Sequence, residues 1–401
     1  MDEKGVLKMK SLFSRVISTL IACATGGTLL SSAITKTTYA TSIILGDVNG
    51  DNAVTYSDAS AVLQYLSGNI NPTAQQVTCM DANQDYVIDR TDYIIINYWV
   101  SSGIANNTTN LTVNKSLYTK PNFEQRVYYR HDCASSNPAS YTSYTLGNPT
   151  ITSNIDEIDM DELRTSTDSP DYENLNVVNI SDSSGTIASG FLVTKHIVAT
   201  TAHAVYSNNQ FATNVTVNIY NEQGEAIPQN LLKSASASKI HIPEKYITET
   251  GNYKDNYDYA LIYVTEDLTD VDDYVIKPFY LGVATNEFMD TSSNLTTSGF
   301  RIVNSSVKRY YGTGPVRNIY NVFNNNIGCN DFNLRMYSEG FSIGGKSGGA
   351  VYRDTVFSSQ AVRSVLGIVT GSTNPSSGGD TWSDRITPTL LRFYLSNPNL
   401  T

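Results

Sequence analysis

The sequence predicts a mostly β protein: two antiparallel β-barrels over roughly 220 residues, preceded by a small α-helical module. Three observations carry the prediction. Short β-rich runs separated by turn residues recur from about Leu175 to the C-terminus, and an Asp/Asn-rich loop followed by an amphipathic segment occurs twice near the start. The composition agrees, since 27 tyrosines and only 16% charged residues favour strands and polar loops.

A chain of 401 residues suggests two or three domains. Acidic residues outnumber basic ones by 38 to 27, and the excess is larger after residue 40. Such a surface argues against nucleic-acid binding and for a soluble secreted protein.

Residues 1–40 read as a secretory signal peptide. Lys4, Lys8, Lys10 and Arg15 precede an apolar run from Val16 to Ile34, and Thr38-Tyr39-Ala40 places small residues around a cleavage point after Ala40. A membrane anchor is the competing reading, but Gly26, Gly27, Ser31 and Ser32 dilute the run and no other stretch approaches spanning length. Export without membrane attachment after cleavage is the expectation. Cys23 leaves with the peptide; Cys79, Cys133 and Cys329 remain, and a Cys133–Cys329 disulfide is left open.

Residues 41–102 contain the repeat. Asp47-Val48-Asn49-Gly50-Asp51-Asn52-Ala53-Val54-Thr55-Tyr56-Ser57-Asp58 is matched 34 residues on by Asp81-Ala82-Asn83-Gln84-Asp85-Tyr86-Val87-Ile88-Asp89-Arg90-Thr91-Asp92. Both are calcium-loop patterns. Side-chain oxygens fall at positions 1, 3, 5 and 12 (Asp47, Asn49, Asp51, Asp58; Asp81, Asn83, Asp85, Asp92), and position 7 offers a carbonyl, of Ala53 or Val87. A helix follows each loop, burying Val62, Leu63 and Leu66 in one and Ile95, Ile96 and Trp99 in the other, and none is expected before either loop. The plainer alternative, Asp58 and Asp92 as simple helix N-caps, does not account for the duplication.

These paired half-hands resemble a type I dockerin, although position 6 carries Asn52 or Tyr86 instead of Gly and position 12 Asp instead of Glu. The resemblance implies two Ca2+ ions, a cohesin domain of a cellulosome-type scaffold as partner, and an extracellular, scaffold-bound location. It places the cohesin contacts on Tyr56-Ser57 and Arg90-Thr91, whose difference predicts unequal binding orientations. Repulsion among the carboxylates predicts that this module folds only with calcium, whereas barrels with their own core keep their activity on chelation.

Residues 103–174 read as a linker or propeptide, rich in Asn, Thr and Ser but with Tyr128, Tyr129, Tyr141 and Tyr144. The acidic run from Asp156 to Glu173 fits either a solvated spacer or a shielding propeptide.

From 175 to 401 the expected strands are Val177–Ile180, Gly190–Val193, Ile197–Thr200, Val215–Ile219, Ala260–Val264, Gly349–Tyr352 and Val365–Val369. Chemistry-bearing residues punctuate them. In Gly344-Gly345-Lys346-Ser347-Gly348-Gly349, glycines turn the chain around a serine hydroxyl and leave amide N–H groups free to face a substrate oxygen. Thr201-Ala202-His203 ends one strand and Asp258-Tyr259 opens another; Asp255 competes for the aspartate role.

The order His, Asp, Ser resembles the trypsin-like serine proteases, with their chymotrypsin-like double barrel, and the motifs are similar to those of the bacterial glutamyl endopeptidase branch. The resemblance implies a catalytic triad of His203, Asp258 and Ser347, an oxyanion hole at the N–H groups of Gly345 and Ser347, no cofactor for catalysis, and a peptide substrate. It places the specificity pocket between Phe341, Ser342 and Ile343 on one wall and Val369, Thr370, Gly371 and Ser372 on the other. Val369 stands where that branch has its carboxylate-binding histidine, and Lys346 where the digestive enzymes have the aspartate that receives a new N-terminus. Arg385 is a candidate for reaching a substrate carboxylate, and Asp380 or Asp384 a cation; the preference stays open, leaning apolar or small. His131, His196 and His241 lack a nucleophile-partner context. A secreted serine endopeptidase is the leading reading, and an inactive barrel serving as a tethered binding module the alternative.

Overall fold

In a computed structural model of the chain, residues 42–114, 126–146, 152–153, 175–183, 185–221, 231–271, 274–276, 278–289, 294–303, 306–320, 335–342, 346–357, 360–373 and 379–395 are described. The expected signal peptide, the acidic run 156–173 and Cys329 lie outside them, while Cys79 is buried and Cys133 partly so. No helix among the described residues is long and apolar enough to cross a membrane.

The N-terminal module is built from α1 (Tyr56–Leu66), α2 (Ala74–Met80) and α3 (Arg90–Ser101). Val62, Leu66, Ile95, Ile96 and Trp99 are buried between α1 and α3, the faces that the apolar spacing marks. Two features depart from expectation. Helix α2 does precede the second loop, started by a capping box in which Thr73 and Gln76 satisfy each other's backbone N–H; its Gln-rich sequence carries little apolar periodicity. The module also runs past residue 102, because Ser42–Ile44 pairs with Thr112–Asn114 and closes its ends.

The first sheet comprises β1 (Val127–Asp132), β2 (Thr142–Thr145), β3 (Val177–Asp182), β4 (Gly185–Thr194), β5 (Ile197–Thr200), β6 (Thr216–Tyr220), β7 (Leu231–Pro243) and β8 (Ala260–Val264). Its order is β6-β3-β4-β5-β8-β7-β1-β2, and an added β6–β7 pairing closes six strands into an antiparallel barrel. The apolar runs are continuous because both faces are buried. Alternate residues Val178, Leu192, Val198, Ala260 and Ile262 join one cluster within this barrel. Their neighbours Val177, Phe191, Val193, Ile197, Ala199, Leu261 and Tyr263 pack in a cluster shared with the second barrel. Each buried Val, Leu or Phe contributes about 1.5–3 kcal/mol of transfer free energy.

β1 and β2 come from the segment expected to be a linker or propeptide. β1 pairs with β7 from Lys239↔Asp132 to Pro243↔Tyr128, so residues 126–146 are barrel framework and not a spacer. Their tyrosines explain it: Tyr128 stacks on Phe393 and Tyr129 on Tyr141.

The second barrel uses β9 (Tyr280–Leu281), β10 (Asn294–Val303), β11 (Ser306–Tyr320), β12 (Arg335–Ser342), β13 (Ala350–Phe357), β14 (Gln360–Ser372) and β15 (Gly379–Arg385), in the order β9-β14-β13-β10-β11-β12-β15. The β14–β15 pairing closes the ring of six, and β9 lies parallel against β14. Helix α4 (Pro388–Leu395) buries Leu390, Leu391, Phe393 and Tyr394 in the shared cluster.

His241 lies on β7, buried beside Tyr263, with Nδ1 on the Tyr144 hydroxyl at 2.7 Å and no partner for Nε2 among the described residues. Burial, together with nearby Arg130 and Lys239, pushes its pKa down to about 3. The unfolded chain takes this proton near pH 6.5, so between there and about pH 3 it binds more protons than the folded chain, and stability falls as the pH is lowered. Urea midpoints measured from pH 7 to 4 are expected to drop in the wild type and to drop less steeply in His241→Gln.

Candidate active site

Strands β5 and β8 run antiparallel with Thr200 opposite Ala260. The chain leaves β5 into a single helical turn, Ala202–Val205, and enters β8 from a 3-10 turn, Gly251–Tyr257, capped by Asp258. His203 and Asp258 therefore emerge at the same end of the strand pair. One carboxylate oxygen of Asp258 accepts the backbone N–H of His203 at 2.8 Å, and the other meets its Nδ1 at 2.6 Å. Asp258 is buried while the imidazole reaches solvent. Burial disfavours an imidazolium here, but the carboxylates of Asp258 and then Asp255 outweigh it and raise the His203 pKa. Asp258 is thus the hydrogen-bonded partner, and Asp255 contributes through its charge alone.

Sequence reasoning missed what holds this pair in place. Tyr259 is buried, and its hydroxyl accepts from Arg126 Nη1 at 2.6 Å; the guanidinium also lies over the Tyr257 ring at 5.0 Å. One residue before β1, Arg126 ties the strand missed in the sequence to the Asp258 turn. Its position just before a Tyr-Tyr pair was the available signal.

Ser347 stands on the turn entering β13, with Gly349 N–H donating to Lys346 O at 2.8 Å. Two bonds place it. The N–H of Ser189, on β4, donates to Ser347 O at 2.8 Å, and Gly348 N–H donates to Val369 O at 2.7 Å. Thr200 Oγ1 donates to Ser189 O at 2.8 Å, so the strand that delivers His203 and the turn that carries Ser347 hold the same residue. Gly348 has φ +85, and any Cβ there would collide with Ser189 O and Thr200 Oγ1; only glycine fits.

Lys346 is wholly buried, and its Nζ donates to Thr297 Oγ1 at 2.9 Å on β10. Gly345, expected to donate to an oxyanion, and Ile343 lie outside the described residues. Phe341 and Ser342 end β12, opposite Asp380 and Gly379 of β15. Val369 is buried with Val351 and Leu366. Beside it, Thr370 Oγ1 is enclosed without a hydrogen-bond partner among the described residues, and Gly371 stands opposite Trp382. Arg385 does not reach this wall: it is buried with its guanidinium on Ala284 O, and Asp384 is buried beside it in the strand.

The calcium-type loops share their main hydrogen bonds. Asp47 accepts the N–H groups of Asp51 and Asn52 as Asp81 accepts those of Asp85 and Tyr86. Asp58 accepts from Val48 and Thr55 as Asp92 accepts from Ala82 and Asp89, which makes Asp58 and Asp92 capping-box partners of Thr55 and Asp89, the N-caps. Asn52 and Tyr86 at position 6 take φ of 67° and 68°, the left-handed turn the loop requires. Burial, joined by neighbouring carboxylates, pushes Asp85 and Asp92 well above the usual range, and burial raises Asp89 to about 6. Negative charge crowded out of water is what a divalent cation neutralises, so the residues fit one. His, Cys, Asp and Glu side chains alone form no metal-holding group of three among the described residues.

Residues 166–387 match the family model described as Trypsin, and residues 45–101 match that of the dockerin type I domain. No curated protein matches the chain. Among solved structures, one of a Glu endopeptidase in complex with MPD is 15% identical, covering 57% of this chain and 93% of that one with a TM-score of 0.40.

The carboxylates around His203 yield a prediction. Removing negative charge stabilises its neutral form, so Asp255→Asn is expected to lower the imidazole pKa measured by NMR titration, and Asp258→Asn to lower it further. An unchanged value in Asp258→Asn would show that the pair does not form in solution.

Proposed function

The chain belongs to the trypsin family, with a type I dockerin domain at residues 45–101, and on that premise we propose that it is an extracellular serine endopeptidase acting through Ser347, His203 and Asp258. The observation that carries this reading is the carboxylate–imidazole pair closed at 2.6 Å, on a strand end that shares Ser189 with the Ser347 turn.

Asp258 accepts the Nδ1–H of His203, leaving Nε2 as the base. Ser347 Oγ attacks the peptide carbonyl as its proton passes to Nε2, and the imidazolium then protonates the leaving amine. Water, activated by the same imidazole, releases the acyl group. The N–H groups of Gly345 and Ser347 receive the oxyanion. The raised pKa of His203 sets the acid limb: the base is lost as pH falls through a value above 6.5. The buried Val369 and the engaged Arg385 supply no cation for an acidic side chain, and with Phe341, Ser342, Thr370 and Gly371 as walls the pocket suits a small or apolar P1 residue.

Type I dockerin domains bind calcium, and we infer one ion per loop, held by Asp47, Asn49, Asp51, Ala53 and Asp58, and by Asp81, Asn83, Asp85, Val87 and Asp92. The metal supplies charge neutralisation to the loops; the residues themselves orient the helices. Cohesin on a cellulosome-type scaffold is the inferred partner.

A fluorophosphonate probe is expected to label the wild type and not Ser347→Ala, with identical circular dichroism; an unlabelled wild type would make the chain a binding module. A buried ammonium is costly, so replacing it by an apolar side chain of similar volume is often neutral or stabilising. Lys346→Met is therefore expected to keep or raise the unfolding temperature while kcat falls about tenfold or more through loosening of the Ser347 turn.

A further inference from the structure

The two half-hands match in chemistry and differ in what covers them. Tyr56 and Ser57, which open α1, correspond to Arg90 and Thr91, which open α3, across the 34-residue repeat. Tyr56 is 58% exposed, and Ser57 is exposed as well. Arg90 and Thr91 are each only 3% exposed.

The cover on the second half-hand is this chain's own segment 279–289, which joins the barrels. Tyr280 Oη accepts the Arg90 backbone N–H at 2.9 Å, and its ring lies 5.6 Å below the guanidinium. Asn83 Nδ2, inside the second loop, donates to Val283 O at 2.6 Å. Thr91 Oγ1 would lie 2.9 Å from a Cβ on Gly282, so glycine is what permits the approach. Further along α3, Tyr98 meets Phe288 edge to face with centroids 5.8 Å apart, and Ile94 and Tyr98 pack on the core of the second barrel. Thr152–Ser153 adds a short parallel pairing to Val87–Ile88.

We propose that the second half-hand is committed to the protease domain as an intramolecular interface, and that cohesin is met by the first half-hand alone, through the opening turn of α1 around Tyr56 and Ser57. The inference rests on the dockerin reading above and adds a direction to it. Two related faces bind a partner interchangeably only if both are free. Presenting the second would require breaking buried hydrogen bonds and an aromatic contact, and each 1.4 kcal/mol of that cost biases binding tenfold toward the first. The exposed tyrosine beside a serine offers what protein partners use: a rigid aromatic at low entropic cost with a small polar neighbour.

The test uses the full chain with calcium and a panel of type I cohesin modules. On binding, hydrogen exchange is expected to slow across 55–66 and to stay unchanged across 90–101 and 279–289. Ser57→Arg is expected to weaken binding at least a hundredfold at an unchanged unfolding temperature; Thr91→Arg is expected to hold affinity within threefold and lower the unfolding temperature. Binding of Ser57→Arg within threefold of wild type, or exchange that opens 279–289 while protecting 90–101, overturns the inference and leaves the dockerin reading standing. Self-association abolished by Ser57→Arg assigns the face to a second copy and overturns it too. Absence of binding to every cohesin by a calcium-loaded wild type overturns the dockerin reading and this inference together.

Discussion

Ser189 is the point on which the geometry of the site depends. It is buried in β4, and each of its polar groups reaches a different element: the N–H goes to Ser347 O, the carbonyl receives Thr200 Oγ1, and the hydroxyl accepts Phe300 N–H at 2.7 Å from β10. Three bonds from one residue thus couple the strand before His203, the turn bearing Ser347 and the wall of the second barrel. A buried group left without its partner costs about 1–3 kcal/mol, so these bonds are hard to break singly. The collision facing any side chain at 348 follows from the same closeness. The Ser347 turn is positioned by the framework of the first barrel as much as by the second, in which it lies.

Burial on both faces also decided what could be read in the sequence. Residues 197–199 and Ala260–Val264 announce themselves because their alternate residues fill two different cores. β7 does not, since Leu231–Pro243 alternates Ser, Ala and Lys and its N-terminal half is partly exposed; β11 contains Gly312, Gly314 and Pro315, which read as turns. β1 was hidden by its setting, a strand 45 residues ahead of β3 in a polar stretch, paired with a β7 not yet recognised. The His203–Asp258 pair was legible from the residues flanking each strand, and the choice of Asp258 over Asp255 follows from the two-residue distance to Ala260. Arg126, Ser189 and Thr200 were not legible, because their roles arise only when distant strands meet. Arg385 misled for the converse reason: its strand was placed near the pocket, but its guanidinium turns to Ala284 in the core.

The calcium module was read as a body apart, and half of it is not. Both loops bury their first and twelfth positions, Asp47 and Asp58 in one and Asp81 and Asp92 in the other; they differ at Asn49 and Asp51, which are exposed, against Asn83 and Asp85, which are buried, with Asn83 bonded to Val283 of the protease domain. Stacking carboxylates under a protein surface raises their pKa values and the repulsion that calcium must offset. The second loop also touches the connector: Val283 accepts from Asn83, and β9, two residues earlier, is hydrogen-bonded to β14, the strand that carries Val369 and Thr370. Independence of the two domains on chelation, natural for bodies joined by a linker, is not required of domains in which Ile94 and Tyr98 of one pack on the core of the other.

The lysine beside Ser347 bears on how the site is kept in order. A carboxylate at this position would need a cation brought to it, which in a protease activated by cleavage is a newly exposed N-terminus. An ammonium needs acceptors instead, and β10 supplies Thr297 Oγ1 from within the same barrel. The partner is part of the folded framework and lies within the same barrel. The approach of Gly299 is part of the same arrangement, since a Cβ there would stand 3.0 Å from the Lys346 backbone and 2.8 Å from Ser189 Oγ. Lysine, threonine, glycine and serine at 346, 297, 299 and 189 form one packing unit around the Ser347 turn, and its order is set by contacts within the fold.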